Sequence, residues 1–147
     1  MFYSGNTSIA VSGTDVYIGG TEDRIAKYWR NDKAHVFNMS ETDVSTSVNI
    51  GCIALGANNK VHMTGLSNNN VVYLKEGSTP VILANKGERS SSIAVAGSNV
   101  YISGHFNAAD VPGSYHYRSI LWVNGKKVPS FDGSKDINAQ ALFVVDK

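Results

Sequence analysis

The stretch SIAVSGTDVYIGG at residues 8–20 recurs as SIAVAGSNVYISG at residues 92–104, and a looser copy, IALGANNKVHMTG, begins at Ile53. No other feature restricts the fold as much. A chain that repeats so short a segment must bury each copy against its neighbours. The copies start at Ile9, Ile53 and Ile93, at spacings of 44 and 40 residues. Each comprises an apolar run, a turn of Gly, Asn, Asp or Ser, and a second apolar run ending in Gly. Two short strands bracketing such a turn predict a β-hairpin. The first run is apolar at consecutive positions, which predicts a strand buried on both faces.

A second hairpin follows each of these: AKYWRNDKAHVFNM, VVYLKEGSTPVILAN and SILWVNGKKVPSFD. In each, an aromatic-containing strand meets a polar turn, at Asn31-Asp32, Glu76-Gly77 and Asn124-Gly125. Asn-Gly is the strongest of the three, because both residues tolerate the positive φ of a type I′ turn. No segment keeps a helical period. The chain therefore reads as all-β and antiparallel, with four strands, A to D, in units of roughly 42 residues, a period that suits a propeller blade.

The pattern IAVxGxxVYIxG, followed by a W-x-N turn, resembles the blade repeat of uncharacterised β-propeller proteins over about residues 8–145. The resemblance implies a single propeller-like domain, 1–147, with three full four-stranded blades at 8–50, 51–91 and 92–136 and partial strands at 1–7 and 137–147. INAQALFVVDK matches another A strand, and MFYSG a B-strand remnant. Propellers commonly have four to eight blades, so three and a half cannot close a ring without leaving sheet faces open. Two chains can complete one ring, the chain can belong to a longer propeller, or it can close alone in a smaller ring. Exposed apolar faces and unpaired edges favour self-association as a dimer.

Composition excludes several classes of partner. Thirteen basic and twelve acidic residues leave a net charge of +1 with no basic run, so nucleic acid and anionic membrane are not expected partners. No segment reaches the roughly 18 apolar residues of a membrane span. The N-terminal MFYSGNTS has neither a basic nor an apolar signal region, which leaves a protein retained in the cell or one whose targeting segment has been removed. The lone Cys52 lies in the apolar run GCIALG and reads as a small buried hydrophobe. No nucleotide, cofactor or hydrolase motif is present, neither G-x-S-x-G nor H-E-x-x-H.

Trp29 and Trp122 align between repeats, with Tyr73 or Leu74 at the matching place, and Tyr17, His62 and Tyr101 align likewise. Repetition at equivalent positions marks these as packing residues between units, with His62 replacing a tyrosine. The B–C connections differ more: TEDRI, LSNNN and the far longer HFNAADVPGSYHYR at 105–118. A long insertion in one repeat of an array maps to a loop, often on the binding face. His105, Phe106, Asp110, Tyr115, His116, Tyr117 and Arg118 are therefore the candidate ligand-binding residues, their rings and hydrogen-bonding groups suiting a carbohydrate or a protein. An oligomer contact is the competing reading of the same loop, and His105, Asp110 and His116 offer a metal alternative. The leading expectation is a non-enzymatic binding or structural module. The alternatives are an enzyme, hydrolase or lyase, with its site in the central channel of a closed ring, and a fragment with no separate function. The charged D–A connections at Glu41–Asp43, Lys86–Arg89 and Asp132–Asp136 would have to supply the enzyme's site, and they share no motif.

Overall fold

The structure, a computed structural model, describes residues 8–37, 39, 48–85, 87–108, 116–132 and 141–144. Among these the chain forms β1 (Ser8–Ser12), β2 (Asp15–Glu22), β3 (Ile25–Arg30), β4 (Lys33–Val36), β5 (Val48–Leu55), β6 (Val61–Ser67), β7 (Asn70–Lys75), β8 (Val81–Ala84), β9 (Glu88–Ala96), β10 (Asn99–Ala108), β11 (His116–Val123) and β12 (Lys126–Asp132). They make three four-stranded sheets, β1–β4, β5–β8 and β9–β12. Every sheet is an antiparallel meander of consecutive strands. Helix is limited to one 3-10 turn, Ala57–Asn59, among the described residues. The all-β expectation holds, and each sheet contains one copy of the repeated hairpin.

The turns follow from residue type. Gly13 and Gly97 take φ of 59° and 57° between the first two strands of their sheets. Asn124 and Gly125 both have positive φ, 51° and 81°, as a type I′ turn requires. A repeated clasp ties the turn between third and fourth strands to the start of the second strand. Asn31 N–H donates to Val16 O (2.8 Å), while Val16 N–H donates to Asn31 Oδ1 (3.0 Å). Asn124 and Val100 repeat this pair of bonds at 2.9 Å each. In the middle sheet Glu76 replaces the asparagine, its N–H donating to Val61 O (2.9 Å) and its Oε2 accepting from Val61 N–H (3.2 Å).

The second and third sheets begin at Val48 and Glu88, earlier than the repeat boundaries at 51 and 92 that the sequence suggests. Bulges explain the offset. Ile50 pairs with Gly65 but Cys52 with Thr64, leaving Gly51 unpaired. Ser90 pairs with Gly104 but Ser92 with Ser103, leaving Ser91 unpaired. The extra residue breaks the two-residue period, so the strand upstream of it is masked in the sequence. The strands approach closely there: a Cβ on Gly65 would lie 2.3 Å from Asn49 O, and one on Gly104 2.2 Å from Arg89 O.

Each sheet has two distinct faces. On the front face run Ile9, Ile18 and Trp29 in the first sheet, Ile53, Met63 and Leu74 in the second, and Ile93, Ile102 and Trp122 in the third. The back faces carry Tyr17 and Tyr28, His62 and Tyr73, and Tyr101 and Leu121. The front of the second sheet packs on the back of the first, joining Ile50, Ile53, Val61, Met63, Val72 and Leu74 with Tyr17, Ala26 and Tyr28. The front of the third packs on the back of the second, joining Ile93, Ile102, Ile120 and Trp122 with Val71, Cys52, Ala54 and Tyr73. Burying each such large side chain contributes about 1.5–3 kcal/mol. Trp122 is buried, which fits the packing role its repetition suggests.

The sheets thus stack in a row. The first and third share no substantial contact among the described residues. The front of the first sheet is consequently open: Ile9, Val11 and Val36 are 64%, 62% and 63% exposed. This corrects the expectation that the first strand is buried on both faces. Its IAV run has the composition of an inner strand, but only the side bearing Ala10 faces a neighbouring sheet.

Candidate functional site

The connection expected at 105–118 is shorter than its sequence suggests, because both its ends belong to strands. His105, Phe106, Asn107 and Ala108 pair with Ser119, Arg118, Tyr117 and His116. Asp110 and Tyr115 lie outside the described residues. Residues directly opposite share a face and successive residues alternate, so the candidate residues divide. His105, Asn107 and Tyr117 occupy the back face of the third sheet. Phe106, Arg118 and His116 occupy the front, where Phe106 packs against the core joining the second and third sheets. The five described candidates are therefore divided between two faces and do not form one cluster. Nor can His105 and His116 share a metal ion, since they project from opposite sides of one sheet. Among the described residues no three His, Cys, Asp or Glu side chains converge on an ion site.

What remains on the back face is a compact group. The His105 ring meets Tyr117 edge-on, with centroids 5.2 Å apart and planes at 90°. His105 Nδ1 and Ser91 Oγ share a hydrogen bond of 2.9 Å. Ser91 is the bulged residue of β9, and a bulge re-aims a side chain that regular pleating would place elsewhere. Its carbonyl accepts a bond from the Cys52 thiol, 3.1 Å away, and burial pushes that thiol's pKa up, as suits a structural cysteine. Burial, then the neighbouring Arg89 cation, hold His105 below the ordinary imidazole pKa. The ring is therefore neutral near pH 7, one nitrogen engaged by Ser91. Tyr117 is 44% exposed, presenting an aromatic surface to solvent.

Ser91 is the member sequence reading missed. Its signal was faint: it lies 40 residues after Gly51, the other bulged position. A neutral histidine beside a serine hydroxyl supplies two parts of an acyl-transfer site, but among the described residues no carboxylate is placed to orient the ring as such a site needs. The group is better suited to hydrogen bonding and stacking.

The two other conspicuous polar groups are structural. His62 is buried, its Nδ1 2.6 Å from Tyr73 Oη and its ring stacked on the tyrosine at 5.9 Å. Burial, then Lys75 and Lys60, hold its pKa down. An open depression on the first sheet is lined by Asp15, Arg30, Asn31, Asp32, Lys33 and His35. Two of its charges are committed to each other: Asp15 accepts from Asn31 Nδ2 and from Arg30, and these bonds, Asn31 first, lower the carboxyl's pKa.

No family model matches the chain, and neither a curated protein nor a solved structure matches it.

Proposed function

We propose that the chain is a non-enzymatic binding or structural module of β-propeller type, taking a carbohydrate or protein ligand at the outer end of its third sheet. The observation that carries this reading is the exposed Tyr117 ring held edge-on by His105. The two strands supporting it extend beyond the length of their counterparts in the first sheet. Counting from the aligned Tyr17 and Tyr101, Asn107 corresponds to Asp23, a turn residue. Tyr117, opposite Asn107, thus stands on an extension that sheet packing does not need. An exposed rigid ring beside a neutral imidazole and a hydroxyl offers a stacking surface with adjacent hydrogen-bonding groups, the combination that sugar and peptide recognition uses. Sheets that each bury a face only against the next one are the stacking units of a propeller.

The test is a glycan array and a protein pull-down with the wild-type chain, Tyr117→Ala and His105→Ala. Both variants should lose the signal while melting within a few degrees of wild type. Retained signal in both variants, or a large loss of stability in Tyr117→Ala, would overturn the assignment.

A further inference from the structure

We infer that the open front face of the first sheet is covered by the back face of the third sheet of a second copy of this chain. The inference rests on the propeller-type reading above and deepens it by naming the partner.

Two interfaces inside the chain define what such a face requires. Wherever a front face is sealed, the same positions seal it. Ile53, Val61, Met63 and Leu74 lie against the back of the first sheet, and Ile93, Ile102 and Trp122 against the back of the second. Their counterparts Ile9, Val16, Ile18 and Trp29 form the same surface on the first sheet. No strand of the second or third sheet covers it, and Ile9, Val11 and Val36 stand more than half exposed. A contiguous apolar sheet face left in water is a docking surface.

The third sheet has such a back face as well. Back faces present Tyr17, Tyr28 and Gly19, then His62, Tyr73 and Thr64, and on the third sheet Tyr101, Leu121 and Ser103. The first two sets each meet a front face. The third set meets no described strand of another sheet; Tyr101 and Leu121 are partly exposed there, and Ser103 is buried. Among the described strands, one unmatched front and one unmatched back remain, with the kinds of side chain that meet twice within the chain. A second copy supplies both in the right chemistry. The contact is head-to-tail, so it must close into a ring or grow into a filament. Two copies bring six sheets, within the blade number of closed propellers. His105 corresponds to Thr21, at the margin of the sealed area, and Tyr117 extends past it, so the proposed ligand site stays on the rim.

Light scattering over a dilution series should give about 32 kDa, twice the chain's 15.8 kDa. Val11→Glu alters the front and Leu121→Lys the back, and Tyr101→Lys serves where Leu121→Lys fails to melt cooperatively. Each variant alone should be monomeric and folded. Mixing a front variant with a back variant should restore the doubled mass, because the two wild-type faces can still meet. A monomeric wild type overturns the inference, as does a back variant that still dimerises or a mixture that stays monomeric. Loss of the dimer with a retained Tyr117-dependent ligand signal removes this inference alone. An intact dimer with no such signal removes only the binding role.

Discussion

Replacing Gly65 by alanine tests the bulge geometry that sets where each sheet begins. The new methyl would sit 2.3 Å from Asn49 O and 2.7 Å from Ile50 Cα. Both atoms are backbone of β5, so no rotamer change relieves the contact. Restoring an ordinary separation of about 3.4 Å moves the strands apart by about 1 Å, a fifth of the roughly 4.8 Å between paired strands. Overpacking of this kind costs about 1–3 kcal/mol, and stretching the pairing of Ile50 with Gly65 adds about 1 kcal/mol. The sum is about 2–4 kcal/mol. At about 2–4 °C per kcal/mol for a chain of this size, Tm should fall by about 5–15 °C. Gly51→Ala is the control, since a Cβ there meets nothing within 4 Å and should change stability by no more than about 0.5 kcal/mol. Thermal and urea melts followed by circular dichroism measure both. Equal stability of the two variants would refute the steric argument.

Two further outcomes follow from the polar groups. The pKa of His62 is held down in the folded chain from an ordinary 6.5, so the unfolded chain takes up the proton first on acidification. Stability should be full above about pH 6.5 and decline below it, by at most about 1.4 kcal/mol per pH unit for this group. His105 shifts in the same direction, so urea midpoints for His62→Gln should show a shallower but not flat acid decline, and an unchanged slope would remove His62 from the account. Asn124→Ala should cost about 1–2 kcal/mol, combining a lost bond to Val100 N–H with an alanine at φ 51°. Asn124→Asp, which keeps the accepting oxygen, should lose less in the same melt, and parity between the two would show that the clasp contributes nothing.

The hairpins were legible because a two-residue period bracketed by Asn, Gly and Asp leaves few alternatives. The four-strand grouping was legible for the same reason. The bulges were not, because one unpaired residue at Gly51 or Ser91 looks locally like the end of a strand. That concealment also hid the partnership of Ser91 with His105, which depends on where the bulge aims a side chain. The candidate site was half legible. Position 105–118 was singled out by length, yet the alternation of β10 and β11, with polar residues on both faces, could not be seen without the pairing register. The open front of the first sheet was invisible in principle: Ile9 and Ile53 are the same residue in the same run, and only the presence of a preceding sheet separates an exposed one from a buried one.

The clasp that joins Asn31 to Val16, Glu76 to Val61 and Asn124 to Val100 lies wholly inside its own sheet. Each unit therefore carries its own fastening, made without any residue of its neighbours. Duplication can copy such a unit whole, and drift in one copy leaves the fastening of the others intact. Glu76 shows what that latitude allows. With one carboxylate oxygen still accepting from Val61, the other accepts from Tyr28 Oη at 2.8 Å. One side chain thus serves both as an internal fastening and as a rivet between adjoining units, at the first joint and not at its counterpart Asn124 among the described residues. The two joints thus differ, with this polar anchor at the earlier one.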